Sequence, residues 1–186
     1  AVMALDKAVK MNHDIEIQEV AFYNYAVASL QGGSIPFGNS VENFEEFLRR
    51  YPNSKYVPKV QEYIVTGYMT DNNYERAYRS IERINNPSDA ILKAKQRVLY
   101  SLATRNYANG NVDEALNQFL GSKELSQYDA ELSRETDLWI GDCYYARGDY
   151  DAAADKYLSF AEASSDDAIN LSLAYYNLGY ARLKSK

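Results

Sequence analysis

The chain has 186 residues, of which 46% are hydrophobic and 25% are charged, and this composition is too apolar for an intrinsically disordered protein. Its 26 acidic residues outnumber its 20 basic residues, so the formal net charge is -6 and the basic surplus that nucleic-acid binding requires is missing. One cysteine and one histidine exclude an internal disulfide and a tetrahedral zinc site. We therefore expect a folded protein with no metal, no cofactor and no nucleic-acid partner.

Helical patterns alternate with turn signals along the whole chain. No run approaches the roughly 18 consecutive apolar residues of a membrane span, so no transmembrane segment is expected in this chain. Five segments carry apolar or aromatic residues at the three-to-four spacing of one helix face. These segments are AFYNYAVASL, VQEYIVTGYM, RVLYSLATRN, DLWIGDCYYA and LAYYNLGYAR.

A second pattern, a small residue followed four positions later by a large apolar one, recurs between these segments. The copies are Ala1 with Leu5, Ser40 with Phe44, Ala77 with Ile81, Ala115 with Phe119, and Ala153 with Tyr157. They recur every 37 to 39 residues, which indicates an internal repeat. The small residue is expected where two helices cross closely, and the large one fills the space beyond it.

Asn, Asp and Gly cluster before each small residue, in GNSVEN, DNNYER, NGNVDE and RGDYDA. These residue types tolerate positive φ and cap helix N-termini, so one helix should end and another begin there. In FEEFLRRYPNSKYVPKV, Pro52 is expected to end the second helix of one hairpin, and Asn53 and Ser54 to cap the next helix. Pro87 is expected to end another second helix.

These hairpins resemble the tetratricopeptide repeat (TPR) family along essentially the whole chain. Ile140, Gly141 and Tyr144 match its first-helix pattern best, and Leu178 with Gly179 match it again. The resemblance implies an all-α fold, an α-α superhelix of antiparallel helical hairpins with about ten helices. A single array is expected, with partial repeats at residues 1–13 and 166–186 and full repeats at 14–54, 55–87, 88–127 and 128–165.

The long period and the phrases FEEFLRRYPNSKY and CYYARGDYDAAADKY resemble the longer repeats of bacterial cell-envelope proteins. This resemblance implies a periplasmic location or the periplasmic face of the outer membrane, with the cytoplasm as the alternative. We also expect the chain to be part of a larger repeat protein, because both end helices lack a partner helix. Self-association through these uncapped ends is a further expectation.

In the TPR family, the second, fifth, ninth and twelfth positions of each first helix face a concave groove that binds peptides. Carried over to this sequence, the resemblance implies a partner-binding groove. Its candidate residues are Tyr23, Glu62, Arg97, Tyr100, Thr104, Tyr107, Asp142, Tyr145 and Tyr176. The family's clamp for a C-terminal carboxylate needs lysine and asparagine at the fifth and ninth positions, where this chain has residues such as Tyr23 with Val27 and Glu62 with Thr66. Chaperone-tail binding of that kind is therefore not expected.

The 18 tyrosines have two interpretations. Six are expected to pack in the core, namely Tyr68, Tyr74, Tyr144, Tyr150, Tyr157 and Tyr175. Those at groove positions suit recognition, because tyrosine combines a large contact area with a polar tip, although they could equally pack between helices.

Catalytic constellations are missing from the sequence. Cys143 is expected to be a buried small hydrophobe, and His13 lies where a helix should end, far along the chain from it. We expect a non-catalytic interaction scaffold that binds a peptide or protein, within bacterial envelope assembly. The alternatives are a structural spacer or oligomerisation platform, and a module that binds glycan or peptidoglycan.

Overall fold

The computed structural model describes residues 14–31, 37–163 and 168–185, together with Lys7 and Val9. The described residues form nine α-helices and no strand, which confirms the predicted all-α class with a TPR-like hairpin arrangement. The helices are α1 (Ile15–Gln31), α2 (Phe37–Arg50), α3 (Val57–Thr70), α4 (Tyr74–Ile81), α5 (Asp89–Ala108), α6 (Val112–Lys123), α7 (Ala130–Arg147), α8 (Tyr150–Glu162) and α9 (Ala168–Lys184). The predictions for Ala1, Leu5, His13 and the side chain of Ser40 lie outside the described residues.

The chain divides into two compact units, residues 1–91 (unit 1) and 92–186 (unit 2). In unit 1, α1 packs on α2, α2 on α3 and α3 on α4. In unit 2, α6 packs on α7, α7 on α8 and α8 on α9. Ala103 of α5 is buried in one cluster with Phe119 of α6 and Ile140 of α7, so these three helices share a core. Within each unit, the helices thus pack mainly on their neighbours along the chain.

The turn signals produce the expected backbone. Asn72, Gly110 and Gly148 have φ values of 55°, 81° and 82°, and each lies in the turn between two helices. The side chain of Asn73 caps α4 by accepting a hydrogen bond from the Arg76 N–H at 3.3 Å. Asp149 caps α8 in the same way. These caps satisfy donors that a helix N-terminus leaves unpaired.

The repeated small and large residues form the core as predicted. Ala77, Ala115 and Ala153 are fully buried, and their large partners Ile81, Phe119 and Tyr157 are at most 3% exposed. The contact between α7 and α8 requires a glycine at position 141, because a Cβ on Gly141 would lie 2.6 Å from the Tyr157 ring. The ring of Tyr157 therefore fills the space that Gly141 leaves beside α7.

After α2, the chain ends one helix as predicted but begins the next one, α3, without the predicted side-chain cap. α2 ends at Arg50, before Pro52, as expected, but α3 begins after Tyr56 and no side chain caps it. Pro58 lies in the first turn of α3 and has no N–H, so fewer donors need a partner there. Ser54 instead accepts a hydrogen bond from the Tyr56 N–H at 3.0 Å and donates one to Glu19 at 2.7 Å.

The prediction that Pro87 ends a second helix is wrong. α4 already ends at Ile81, because its buried apolar face stops there and the next two residues form a turn. Pro87 leads into α5, where the Ser88 hydroxyl accepts a hydrogen bond from the Ile91 N–H at 3.4 Å.

Two expectations for the last helix are also corrected. Leu178, which lies on an end helix expected to lack a partner helix, is nevertheless only 6% exposed, because it packs in one cluster with Ala153 and Tyr157 of α8. Tyr175, expected to pack in the core, is 54% exposed.

Candidate functional site

In unit 1, the predicted residues Tyr23 and Glu62 lie on α1 and α3. The Tyr23 ring stacks on the Tyr56 ring, with centroids 4.2 Å apart and planes 12° apart, and meets Phe47 edge-on. Burial, followed by the neighbouring Tyr63 hydroxyl, raises the pKa of Tyr23. This tyrosine therefore packs between helices.

Glu62 is paired with a cation from its own helix. Its Oε2 atom lies 2.8 Å from the Lys59 ammonium, and its Oε1 atom accepts a hydrogen bond from Ser88 at 2.9 Å. The hydrogen bond between Lys59 and Glu62 lowers the pKa of Glu62 and raises that of Lys59. The same ammonium lies 5.3 Å from the centroid of the Tyr63 ring. Unit 1 therefore holds one lysine between a carboxylate and an aromatic ring.

In unit 2, three predicted residues on α5 already have partners within the chain. Arg97 lies 3.5 Å from an Asp129 carboxylate oxygen. The Tyr100 hydroxyl accepts a hydrogen bond from the Trp139 indole at 2.9 Å and donates one to Glu135 at 3.4 Å. The Thr104 hydroxyl donates to the Ser101 carbonyl of its own helix. Trp139, which the sequence did not single out, is thus the residue that anchors Tyr100.

The other four predicted residues of unit 2 line one open pocket of about 350 Å³, here called the tyrosine pocket. They are Tyr107, Asp142, Tyr145 and Tyr176, and the remaining lining residues are Ala146, Tyr157, Asn177 and Tyr180. Helices α5, α7, α8 and α9 each contribute to it. Five of its eight lining residues are tyrosines.

Helical spacing explains how these side chains meet. Asp142 and Tyr145 are three residues apart on α7, and Tyr176 and Tyr180 are four apart on α9, so each pair lies on one helix face. The Tyr176 and Tyr180 rings are in contact, with centroids 4.7 Å apart, and they are 61% and 46% exposed. Tyr157 reaches the pocket from α8, beneath Asp142.

Asp142 is the one ionisable acid of the tyrosine pocket. Its Oδ1 atom accepts hydrogen bonds from the Tyr157 hydroxyl at 2.7 Å and from the Asn177 amide at 3.3 Å. Burial raises the pKa of Asp142, and the two hydrogen bonds oppose this shift only in part. Within the described ranges, no lysine or arginine pairs with this carboxylate, and its Oδ2 atom has no hydrogen-bond partner. The sequence placed Asp142 in the groove but missed Tyr157 and Asn177 as its donors.

Two of the pocket tyrosines, Tyr107 and Tyr157, have raised pKa values. Burial raises the pKa of Tyr157 first, and its hydrogen bond to Asp142 raises it further. Burial also raises the pKa of Tyr107, with a smaller contribution from the Asp142 charge. The Tyr107 ring packs edge-on against Trp139, with centroids 5.5 Å apart, and Trp139 is the residue that donates a hydrogen bond to Tyr100.

A second pocket, of about 410 Å³, lies in unit 1 between α2, α3 and α4. Its lining combines apolar Leu48 and Ile64 with Arg49, which pairs with Glu46. No sequence pattern pointed to it. The carboxylate beside it, Glu45, accepts a hydrogen bond from Tyr68 at 2.6 Å, and burial raises the pKa of Tyr68 to about 12.

Cys143 lies directly behind Asp142 on α7 and is fully buried, as predicted. Burial raises the pKa of its thiol to about 12, so it stays protonated and is a poor nucleophile. Among the described residues, no group of three metal-ligating side chains occurs, and none of their helices is long and apolar enough to cross a membrane.

Residues 135–166 match the sequence model of the tetratricopeptide repeat. These residues cover most of α7 and all of α8, which carry Asp142, Tyr145 and Tyr157 of the pocket. No curated protein matches the chain in sequence. The match therefore supports the TPR resemblance within one repeat.

The chain is also similar in fold to several solved structures. YrrB, a TPR protein with an unusual peptide-binding site, is 18% identical, with a TM-score of 0.51 over 100% of this chain and 85% of its own. BtubC from P. vanneervenii is 14% identical, with a TM-score of 0.47 over 99% of this chain and 82% of its own. PlcR of Bacillus thuringiensis, solved with the peptide PapR7 and DNA, is 12% identical, with a TM-score of 0.41 over 98% of this chain and 68% of its own. The likeness to YrrB supports a TPR-like fold.

Proposed function

We propose that the protein is a non-catalytic scaffold that binds an extended peptide segment of a partner protein at the tyrosine pocket of unit 2. The observation that carries this proposal is that one pocket is lined by four of the groove residues that the TPR resemblance implies, namely Tyr107, Asp142, Tyr145 and Tyr176. The TPR match of residues 135–166 supports a binding role rather than a catalytic one. YrrB, with a similar fold, is described as having a peptide-binding site.

The chemistry of the pocket suits a peptide. Two exposed rings, Tyr176 and Tyr180, offer apolar area with polar tips, and tyrosine loses little side-chain entropy when it is immobilised. Asp142 and Asn177 add a charged acceptor and an amide below the rings. A few polar groups within a mainly aromatic lining are typical of sites that orient a bound chain.

Selection from a displayed library of random decapeptides would test the proposal. The wild-type protein is expected to enrich peptides, and the Tyr176→Ala/Tyr180→Ala variant is expected to lose them, because it removes both exposed rings. Tyr175→Ala is the matched control, since Tyr175 lies on the same helix, is exposed to a similar extent and does not line the pocket. Equal enrichment by all three proteins would contradict binding at this pocket.

The alternatives give other outcomes of the same experiment. A glycan-binding module would select no peptide, and peptidoglycan fragments would shift the NMR signals of Tyr176 and Tyr180. A spacer or oligomerisation platform would select no peptide and show self-association in sedimentation, carried by exposed residues of α9 such as Leu173 and Leu183. Either result would overturn the peptide proposal.

We further propose that the protein acts in bacterial envelope assembly, at the periplasmic side. This proposal rests on the resemblance of FEEFLRRYPNSKY and CYYARGDYDAAADKY to envelope repeat proteins. Protease digestion of spheroplasts from cells that carry the native protein would test it. Digestion in intact spheroplasts supports the periplasm, and protection until the inner membrane is lysed would contradict it.

A further inference from the structure

We propose that the tyrosine pocket is a subsite for a lysine side chain of the bound peptide. This inference rests on the proposed peptide-binding function and specifies the chemistry of its ligand. Its basis is a half-buried carboxylate, Asp142, which lies among five tyrosines and has no cation of its own.

The first argument for a lysine subsite is the charge balance of the pocket. A buried carboxylate is stable when a cation or several hydrogen bonds compensate it. Asp142 receives hydrogen bonds only from neutral donors, the Tyr157 hydroxyl and the Asn177 amide. The nearest arginine on α7, Arg147, lies 3.4 Å from Asp113 of α6 instead. A cation supplied by the ligand would complete the pocket.

The second argument for a lysine subsite is the aromatic lining of the pocket. The groups that face Asp142 are Tyr107 from α5, Tyr145 from α7, Tyr157 from α8, and Tyr176 and Tyr180 from α9. The faces of aromatic rings attract cations, and several rings around one cation form a cage that selects ammonium groups. The aliphatic stem of a lysine would pack on the exposed rings while its ammonium reaches the carboxylate.

The hydrogen bonds of Asp142 favour lysine over arginine. Arginine binds a carboxylate best through two parallel hydrogen bonds, one to each oxygen. Oδ1 already accepts two hydrogen bonds, so within the described part of the chain only Oδ2 is open to a ligand. An ammonium needs only one acceptor oxygen, and therefore fits this arrangement better.

Unit 1 contains the same arrangement with the cation in place. Lys59 lies 2.8 Å from the Glu62 carboxylate and 5.3 Å from the centroid of the Tyr63 ring, and Ser88 donates to the other oxygen of Glu62. A hydroxyl donor, a carboxylate and a tyrosine ring thus surround an ammonium that belongs to the chain. In the tyrosine pocket, the corresponding ammonium would come from the partner.

A set of blocked decapeptide pools would test this inference, each with one fixed central residue and a fluorescent label. The fixed residue is lysine, Nε-acetyl-lysine, norleucine, arginine or glutamate, and affinity is read by fluorescence anisotropy at pH 7. We expect the lysine pool to bind about tenfold more tightly than the norleucine and acetyl-lysine pools. The arginine pool should lie between lysine and norleucine, and the glutamate pool should bind most weakly.

Asp142→Asn removes the charge but retains an acceptor for Tyr157, and should abolish the lysine preference without abolishing binding. Asp155→Asn, which removes an equal charge from an exposed site on α8, is the matched control and should keep the preference. Circular dichroism of both variants verifies that they fold. For the wild type, the lysine preference should also decline as the pH falls through the raised pKa of Asp142.

The outcomes separate the two proposals. Binding of all pools with equal affinity would overturn the lysine subsite and leave the peptide scaffold intact. Binding of none of the pools would overturn both. A lysine preference that Asp142→Asn retains would place the cation elsewhere and would contradict this subsite.

Discussion

Unit 1 and unit 2 each place a carboxylate among tyrosine rings on the first helix of a hairpin, but only unit 1 supplies its own cation. Glu62 in unit 1 is paired with Lys59 at 2.8 Å, whereas Asp142 in unit 2 receives hydrogen bonds from Tyr157 and Asn177 alone. The pKa shifts have opposite directions, because the hydrogen bond from Lys59 lowers the pKa of Glu62, whereas burial raises the pKa of Asp142. A carboxylate near aromatic residues is therefore not enough to define a binding site. What distinguishes the two units is whether the chain supplies a cation for the carboxylate.

The largest expected effect comes from displacing Tyr157, the residue that supports Asp142. In Gly141→Val, the new side chain would collide with the Tyr157 ring, because even a Cβ lies 2.6 Å from it. We expect a loss of about 3 kcal/mol in the free energy of unfolding, measured by urea denaturation. Gly179→Val is the control, since Gly179 has the equivalent place on α9 and no atom within 4 Å of an added Cβ.

The control variant should change stability by less than about 1 kcal/mol, because valine is a better helix former than glycine and meets no neighbour. Equal losses in both variants would show that the helix itself, rather than the contact with Tyr157, requires the glycine.

Removing one hydroxyl should have a smaller effect that distinguishes the two units. Tyr157→Phe deletes the donor to the half-buried Asp142, and a hydrogen bond to a charged group contributes roughly 1.5–3 kcal/mol. Tyr68→Phe deletes the donor to Glu45 in unit 1, whose carboxylate is exposed and regains water, so a loss below about 1 kcal/mol is expected. Urea denaturation of both variants measures the difference. A larger loss for Tyr68→Phe would contradict the assignment of Asp142 as the more buried of these two acids.

The two carboxylates should give opposite slopes of stability against pH. The folded pKa of Asp142 lies above 3.8, so its contribution is fully present below that value and is lost as the pH rises through the folded pKa. The folded pKa of Glu62 lies below 4.5, so its contribution is present above that value and is lost as the pH falls through the folded pKa. Asp142→Asn and Glu62→Gln, each compared with the wild type in urea at several acidic pH values, should cancel these opposite slopes. Slopes of the same sign would show that the two carboxylates do not differ in how their contributions to stability depend on pH.

The smallest expected effect concerns the cation that unit 1 supplies. Lys59→Met should lower the stability by less than about 1 kcal/mol, because the ion pair is largely exposed to solvent. The pKa of Glu62, followed by the NMR shift of its side-chain carboxyl carbon, should rise because its main hydrogen-bond donor is lost. An unchanged pKa would show that Lys59 does not compensate Glu62 in solution.

Most of the fold could be predicted from the sequence, because helix packing depends on local patterns that repeat. The crossing residues Ala77, Ala115 and Ala153 and the turns at Gly110 and Gly148 follow directly from residue size and backbone freedom. Helix ends were less predictable. Pro87 lies six residues beyond the end of α4, where the buried apolar face had already stopped.

The candidate site could be predicted only as far as the helix face. The repeat register of the TPR resemblance predicts that Asp142 and Tyr176 lie on the groove side of their helices, but it does not reveal which distant polar groups reach them. Tyr100 pairs with Trp139, 39 residues away, and Asp142 with Asn177, 35 residues away. Such pairs depend on how neighbouring helices pack, and one repeat's sequence does not contain that information.

The most direct test of the lysine subsite is an NMR titration of protein labelled with ¹³C in its tyrosine rings. The lysine-centred and norleucine-centred decapeptide pools are each added to the wild type and to Asp142→Asn. We predict that the lysine pool shifts the ring signals of Tyr176 and Tyr180, and that the shifts are weaker with norleucine or in Asp142→Asn. Ring shifts confined to unit 1, or equal shifts with both pools, would contradict a lysine site at the tyrosine pocket.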